Sequence, residues 1–359
     1  MEKNYRDLAT ETYNNLLNRE LHINEWAQER LSLAEPLWRF LSVFLEPGNL
    51  FNLIIPLAGI FSQSLLIHLV YVISLVSSLN SLTKWIYPET RPLWRLREGF
   101  SDDVATRPQV ALASHELSCE TSGGQPCAHS MSFTVLVLVL TSYLLVYCRR
   151  NMKWCSTSTW RAVACGLILS LVIAMWLSRL YLATEFLHQC ILGSYFGMRI
   201  LNSFEKNMNF LYSRRCIWGI ILVALLIGLS VGVYFIKLHF GIDPHWSVRQ
   251  AFKWCPEPTY MRHEGSPIFL LSRDFGNILG ISLSLPITKL KSSKKSSIWR
   301  RCSVIGALEL FNYGLRLATP KQYGRFAFLA YEFTRSALHC LALMKLSHIL
   351  AFKQKIKLK

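Results

Sequence analysis

The chain contains few charged residues for its length. Only 17% of its 359 residues are Asp, Glu, Lys or Arg, whereas soluble proteins average about 25%. Hydrophobic residues make up 52% of the chain, and its mean hydropathy is +0.27. This composition excludes an ordinary soluble enzyme, a disordered chain and a small disulfide scaffold. Because apolar stretches recur with basic residues between them, it indicates an all-α, polytopic membrane protein.

Several short motifs are also absent. The ten cysteines include no CxxC pair and no Cys/His spacing typical of zinc ligands, so we expect neither a metal nor another cofactor. No N-x-S/T acceptor for N-glycosylation is present. The first 46 residues are polar and mixed in charge, unlike a cleavable signal peptide. We therefore expect the first membrane span to act as the insertion signal.

Long uncharged stretches predict the membrane spans. Residues 47–83 contain no Asp, Glu, Lys or Arg, and one helix needs about 20 residues to cross the hydrocarbon core, so two closely connected spans fit there. With the other apolar windows, nine spans are predicted, at about 48–61, 66–83, 131–148, 161–178, 186–203, 217–236, 268–286, 302–318 and 325–352. The last three contain charges such as Glu332 and Arg335, which we expect to pair inside the bundle.

The distribution of basic residues predicts the orientation. Lys and Arg collect in the segments 149–160, 204–216, 287–301 and 353–359, as they do on the cytoplasmic side of membrane proteins. The connections 84–130 and 237–267 are longer and mixed in charge. The predicted organisation is a luminal polar segment at 1–46, a nine-span membrane domain at 47–352 and a basic cytosolic tail at 353–359.

Three polar clusters interrupt the apolar spans, and the predicted topology places all of them at one membrane face. They contribute, in chain order, Lys84, Arg91, His129, Arg179, Glu185 and His188. Guanidinium and ammonium groups at one surface can hold a phosphate, and a histidine can supply a proton near neutral pH. The pattern thus predicts a phosphate site formed by the lysine and the two arginines, with His129 beside it.

The order and spacing of these residues resemble the signature of the membrane acid-phosphatase superfamily, and within it the glucose-6-phosphatase family. The matching text is Lys84-x6-Arg91-Pro92, Pro126-Cys127-Ala128-His129, and Ser178-Arg179 followed by Glu185 and His188. Three further runs match in order: Ser118-Cys119-Glu120-Thr121, Lys253-Trp254-Cys255, and Phe275-Gly276-Asn277-Ile278-Leu279-Gly280. The resemblance covers about residues 49–345.

The resemblance implies an endoplasmic-reticulum membrane phosphatase with nine spans that hydrolyses glucose 6-phosphate to glucose and phosphate on the luminal side. It implies a part in gluconeogenesis and glucose homeostasis, and a glucose-6-phosphate transporter as a partner that delivers substrate. It assigns phosphate binding to Lys84, Arg91 and Arg179, and proton donation to His129. A nucleophilic histidine is implied six residues after Arg179, where this chain has Glu185.

This departure leaves more than one function open. An ionised Glu185 repels a phosphate dianion and is expected to lie against Arg179 and Lys84, although carboxylates do form acyl phosphates in other enzymes. His188, one helical turn further on, is an auxiliary candidate. Cys127 and Ala128 replace a serine and a glycine of the signature. The main alternative is therefore a family member that keeps a phosphate or anion site without turnover, and a lesser one is a lipid phosphate phosphatase.

Two smaller features also have two interpretations. Cys119, Cys127 and Cys255 lie in the long connections, where they either form a disulfide in an oxidising lumen or remain free thiols. In the tail, Lys355 and Lys357 resemble a dibasic retrieval signal of endoplasmic-reticulum membrane proteins. An ordinary basic tail that binds anionic lipid is the alternative.

Overall fold

The structure is a computed structural model that describes residues 2–98, 110–151, 156–261, 263–287, 297–320, 322 and 324–351. The predicted basic tail at 353–359, including Lys355 and Lys357, and most of the basic segment 287–301 lie outside the described residues. The described part of the chain forms helices and contains no strand, which confirms the all-α prediction.

Fourteen α-helices account for most of the described chain. The first four are α1 (Glu2–Arg30), α2 (Glu35–Phe44), α3 (Pro47–Asn49) and α4 (Ile55–Phe61). The middle five are α5 (Gln63–Ile86), α6 (Pro92–Glu98), α7 (Ala128–Asn151), α8 (Thr157–Tyr181) and α9 (Leu187–Ser213). The last five are α10 (Cys216–His239), α11 (Trp246–Trp254), α12 (Pro267–Ser284), α13 (Ile298–Leu317) and α14 (Arg325–Leu341).

Four of these helices are long and apolar enough to cross a membrane: α5, α7, α8 and α10. A bent pair, Ser32–Phe44 and Pro47–Phe61, meets at 60° and raises the number to five if the pair is one span. The other predicted windows are helical too, and some of their charges pair within the bundle, such as Arg335 with Glu332 at 2.6 Å. The chain is thus a multi-pass membrane protein, and the count of nine spans stays a prediction.

Helix α5 lies at the centre of the bundle, and α10 lies at its surface. Leu66, Leu69 and Ile73 of α5 are fully buried, whereas Phe235 and Leu225 of α10 are mostly exposed. Apolar side chains that face outward suit a helix in contact with lipid. The core is therefore built on α5, whose last turn leads directly to the first polar cluster.

Two glycines let α9 approach α7 closely. A Cβ atom at Gly193 would lie 2.6 Å from the Cys127 carbonyl oxygen, and one at Gly197 would lie 2.6 Å from the Met131 carbonyl oxygen. Small residues spaced by four allow such close contact between membrane helices. The approach holds the start of α7, which carries His129, beside the start of α9.

The polar N-terminal segment is helical. It forms the 29-residue helix α1, whose Leu17 and Leu21 are buried in a small cluster with Leu96, Val110 and Phe186. Leucines four apart lie on one face of a helix, and that face packs against the polar connections of the bundle. Helix α1 is therefore part of the folded structure around the candidate site.

Candidate active site

Helix ends bring the predicted phosphate-binding residues together. Lys84 lies in the last turn of α5, Arg91 directly precedes α6, and Arg179 lies in the last turn of α8. All three residues are buried, with 1–2% of their surface exposed. The structure thus gathers three cations that are distant in the sequence, and we call Lys84, Arg91 and Arg179 the cation cluster.

Glu185 lies at the centre of the cation cluster. Its Oε1 atom is 3.1 Å from Arg91 Nη1, 3.8 Å from Arg179 Nη2 and 4.0 Å from Lys84 Nζ. Its Oε2 atom is buried and has no hydrogen-bond partner in the described part of the chain. The position at which the resemblance implies a nucleophilic histidine is therefore occupied by a carboxyl group that lies against the cations.

A tight turn after α8 directs Glu185 back toward Arg179. The Thr184 amide donates to the Arg179 carbonyl at 3.2 Å, and the Ala183 amide donates to the Leu180 carbonyl at 3.0 Å. Ala183 has a φ of 50°, the left-handed conformation in which many helices end. This turn explains why a residue six positions after Arg179 faces its side chain.

Glu120 bridges the two arginines. Its Oε1 atom accepts a hydrogen bond from Arg179 Nη2 at 2.6 Å, and its Oε2 atom accepts one from Arg91 Nη2 at 3.1 Å. Burial alone would raise the pKa of Glu120, but the two guanidinium groups outweigh burial and hold that pKa well below its usual value. Glu120 is therefore ionised and occupies hydrogen-bonding positions that a phosphate oxygen would use.

The two carboxylates differ in how they titrate. Burial raises the pKa of Glu185 to about 7, although the cation cluster opposes this shift. Near neutral pH, Glu185 is thus partly protonated, whereas Glu120 stays charged. With every group ionised, three cations and two carboxylates leave a single net positive charge.

Backbone and side-chain acceptors hold the arginines in place. Arg91 donates from Nε to the Ser122 carbonyl at 2.7 Å and from Nη1 to the Thr184 carbonyl at 2.8 Å. Arg179 donates from Nη1 to Ser42 Oγ at 2.7 Å, and its buried Nε atom has no partner among the described residues. The guanidinium groups are thus oriented before any ligand binds.

His129 lies in the first turn of α7, beside the cation cluster. Its Nε2 atom is 3.2 Å from the Ser42 carbonyl oxygen, and because a carbonyl only accepts, Nε2 carries the hydrogen in this contact. His129, Lys84 and Glu120 line the same cavity.

His188 does not join the cation cluster. Its Nδ1 atom is 2.5 Å from Glu20 Oε2, and its Nε2 atom is 3.5 Å from Glu89 Oε1. The His188 backbone amide also donates to Glu20 Oε1, at 3.1 Å. The structure therefore separates His188 from the other predicted site residues, and its auxiliary role stays a prediction.

Helix α1 supports the site through residues that the sequence analysis missed. Asn24 is fully buried and donates to the Leu180 carbonyl at 3.0 Å and to the Glu185 carbonyl at 3.1 Å. Gln28 donates to the Tyr181 carbonyl at 2.9 Å. Glu20, Asn24 and Gln28 are spaced by four residues, so they share one helix face. In the sequence, the only sign of this contact is the row of polar residues along one face of α1.

The cysteines of the long connections have different roles. Cys119 and Cys255 form a disulfide, which ties the Glu120 loop to the segment after α11. Cys127 is a buried free thiol, and its Sγ atom accepts from Ser130 Oγ at 3.3 Å. Within the described residues, no three His, Cys, Asp or Glu side chains are grouped so that they could hold a metal ion.

Both a family model and individual known proteins match this chain. The model described as PAP2 superfamily matches residues 65–213. Glucose-6-phosphatase 3 of Mus musculus is 30% identical over 270 residues, which cover 73% of each chain. Glucose-6-phosphatase catalytic subunit 1 of Rattus norvegicus is 25% identical and covers 78% of this chain and 80% of its own. Glucose-6-phosphatase 2 of Mus musculus is 27% identical, with 68% and 69% covered. No solved structure matches the chain.

These similarities bear on chemistry as well as on fold. The matched PAP2 region contains Lys84, Arg91, His129, Arg179 and Glu185. Its membrane-helix character agrees with the apolar helices of the structure. Together, the family relationships support a phosphatase.

Proposed function

This chain is a member of the glucose-6-phosphatase family, and we propose that it is a membrane phosphohydrolase for a sugar phosphate, with glucose 6-phosphate as the reference substrate. One observation carries the proposal: three cations converge within 4.0 Å of a single oxygen, Glu185 Oε1. A carboxyl oxygen is thus held where a phosphate oxygen would bind. Bidentate guanidinium contacts suit a tetrahedral anion.

The residues of the cation cluster and His129 divide the reaction between them. Lys84, Arg91 and Arg179 would bind the phosphate oxygens and stabilise the charge that develops during transfer. His129 would protonate the sugar oxygen as it leaves. Because the wild type has no histidine at position 185 to accept the phosphoryl group, water would attack the phosphorus directly and release its proton to solvent. The contact of His129 with the Ser42 carbonyl occupies Nε2, which leaves Nδ1 as the nitrogen that gives its proton to the sugar oxygen.

The carboxylates must move or lose charge before phosphate binds. Glu120 bridges both arginines, so a phosphate would displace it from at least one of them. At ~4 Å and an effective dielectric constant near 20, each ionised carboxylate opposes a negative phosphate oxygen by about 4 kcal/mol. We therefore expect weak turnover in the wild type, because Glu185 stands where a phosphohistidine would form.

A second candidate function is an anion-binding family member without turnover. The ion pair between Glu185 and Arg91, both buried, favours it, since this pair takes up the space and charge that a nucleophile and a phosphate need. The lesser alternative, a lipid phosphate phosphatase, requires an apolar channel beside the cation cluster. The lining of the adjoining cavity contains charged side chains such as Lys84 and Glu120 as well as apolar surface, so it does not specifically favour a lipid.

The proposal also includes the subcellular location of the protein and its orientation in the membrane. We place the protein in the endoplasmic-reticulum membrane, with the segment 1–46 and the active site in the lumen and the tail 353–359 in the cytosol. The disulfide between Cys119 and Cys255 supports a luminal location of the Glu120 loop, because disulfides persist in oxidising compartments. A glucose-6-phosphate transporter would then deliver substrate to that side.

The experiment measures phosphate release from glucose 6-phosphate by microsomes that contain the wild type or Glu185→His. We expect the wild type to exceed control microsomes and Glu185→His to be faster, because it restores a nucleophile inside an intact cation cluster. Glu185→His combined with His129→Ala is the matched control and should lose the gain. If the wild type and Glu185→His both fail to hydrolyse the substrate while still binding inorganic phosphate, the second candidate is correct.

A further inference from the structure

Two free cysteines meet where the start of α7 packs against the start of α9. Cys127 directly precedes α7, and Cys190 lies in the first turn of α9. The Cys127 amide donates to the Gln189 carbonyl at 3.2 Å, so the backbones are joined next to the two thiols. The Cys190 thiol in turn donates a hydrogen bond to the Cys127 sulfur. Two thiols that are far apart in the sequence are therefore in direct contact.

The surroundings of Cys127 favour its thiolate form. Its Sγ atom accepts from the Ser130 amide at 3.4 Å and from Ser130 Oγ at 3.3 Å. Burial alone would raise the pKa of Cys127, but the hydrogen bonds from Cys190 and Ser130 and the positive charge of Arg179 outweigh burial and lower that pKa. Because the thiolate is the nucleophilic form of cysteine, Cys127 is the sulfur of the pair that attacks an oxidant.

Burial limits which oxidant can reach the pair. Both cysteines are fully buried, so the disulfide of another protein cannot approach them while the chain is folded. Ala128 and His129, the two residues after Cys127, line the cavity beside the cation cluster, which brings solvent close to the pair. A hydroperoxide such as hydrogen peroxide fits this position, because it is little larger than a water molecule.

We propose that Cys127 and Cys190 form a redox-active pair that a hydroperoxide converts to a disulfide. The Cys127 thiolate attacks one peroxide oxygen, so that an S–O bond forms, the O–O bond breaks and the departing hydroxide takes a proton from solvent to become water. The Cys190 sulfur then attacks the resulting sulfenic acid, so that an S–S bond forms, the S–O bond breaks and the departing hydroxide takes the Cys190 proton. The two thiols together lose two electrons, and the peroxide is reduced to two water molecules.

This modification goes beyond the proposed function, because it needs neither a bound phosphate nor turnover. The disulfide ties the first turn of α7, which contains His129, to α9. A hydrogen-bonded contact beside the cation cluster thereby becomes a covalent one. A low-pKa cysteine next to a second cysteine that resolves its sulfenic acid is the arrangement of redox-sensing thiols.

The pair is tested on the purified full-length protein, which is reduced, freed of reductant, treated with hydrogen peroxide and then digested without reduction. Mass spectrometry should show at least threefold more of the Cys127–Cys190 disulfide in treated than in untreated wild type. Cys190→Ser should stop at the sulfenic acid of Cys127, which dimedone traps when the treated protein is unfolded in its presence. Cys127→Ser should give neither product. Cys340→Ser is the matched control at another buried free cysteine, and it should form the disulfide like the wild type.

The variants keep the proposal falsifiable, because serine is close in size to cysteine and position 127 has a serine in the family signature. Absence of the disulfide in the folded, treated wild type overturns the pair. A dimedone adduct on Cys190 in Cys127→Ser overturns the assignment of Cys127 as the attacking sulfur. Oxidised glutathione that modifies Cys127 of the folded protein as fast as hydrogen peroxide does overturns the choice of a small hydroperoxide. Failure to hydrolyse glucose 6-phosphate rejects the proposed function and leaves each of these results intact.

Discussion

Glu185 Oε1 lies 3.1 Å from Arg91 Nη1, and both side chains are 1% exposed. A buried ion pair is weak evidence for stability, since the cost of desolvation offsets much of the attraction. Glu185 lies six residues after Arg179, at the position where the resemblance implies a histidine nucleophile. In the proposed function, the pair therefore occupies the place of the phosphate.

The first prediction concerns how anion binding depends on pH. Because burial raises the pKa of Glu185 to about 7, this carboxylate becomes neutral as pH falls through that value, and the net positive charge of the site increases. Sulfate, which does not titrate in this range, should therefore bind roughly tenfold more tightly at about pH 6 than at about pH 8. In Glu185→Gln the affinity should be high at both values. A parallel pH dependence in wild type and Glu185→Gln would contradict this assignment.

The second prediction concerns stability and uses the same residue. The folded-state pKa of Glu185, about 7, lies above its ordinary value of 4.5, so the folded protein binds this proton more tightly than the unfolded chain. The resulting stability is fully present below the ordinary pKa and is lost as pH rises through about 7. The Tm of Glu185→Gln minus that of the wild type should thus increase between about pH 5 and pH 8. A constant difference over this range would show that Glu185 titrates normally.

The third prediction concerns Glu120. Glu120→Gln removes the charge that bridges both arginines, so inorganic phosphate should bind several-fold more tightly. Stability should fall, by about 3–5 kcal/mol at most, because two buried guanidinium groups each lose one of their two ionic partners. Glu29→Gln is the control, because Glu29 is an exposed carboxylate of α1 that does not line the cavity. Equal phosphate affinity in wild type and Glu120→Gln would mean that Glu120 does not compete with the ligand.

The fourth prediction concerns the support that α1 gives to the site. Asn24→Ala removes hydrogen bonds to the carbonyls of Leu180 and Glu185, and two buried acceptors then lose a partner at about 1–3 kcal/mol each. Hydrogen exchange of the peptide spanning 180–188 should accelerate, and the Tm should fall. Asn15→Ala, at an exposed position of the same helix, should change neither. Unchanged exchange in Asn24→Ala would show that α1 does not stabilise the Glu185 turn.

The residues of the cation cluster could be predicted from the sequence, whereas the residues that hold them in place could not. Lys84, Arg91 and Arg179 could be predicted to converge because each lies beside a span whose end the topology assigns to one face. The position of Glu185 beside the cations could also be predicted, because a carboxylate is attracted to positive charge. The bridge made by Glu120 could not be predicted, because it depends on how a long loop folds over two arginines. The contact of α1 was missed because its polar stripe resembles a solvated helix face until its partners are known.

The number of spans shows a similar limit. Windows of apolar residues located the helices, but α12, α13 and α14 contain charged residues that form ion pairs, such as Arg273 with Asp274 at 2.8 Å. Pairing lowers the cost of placing such residues inside a bundle. It depends on the folded structure, so a hydropathy profile of the sequence does not show it. Helical periodicity was therefore easier to predict than membrane crossing.

Calorimetric titration of inorganic phosphate into the purified protein examines the cation cluster itself. We predict a single phosphate per chain for the wild type, and at least a tenfold loss of affinity in both Lys84→Met and Arg179→Gln. Lys84→Met keeps the length and apolar stem of the side chain, and Arg199→Gln, at an exposed arginine of α9, serves as the control that binds like the wild type. Wild-type affinity in a folded Lys84→Met and Arg179→Gln would contradict a phosphate site at the cation cluster.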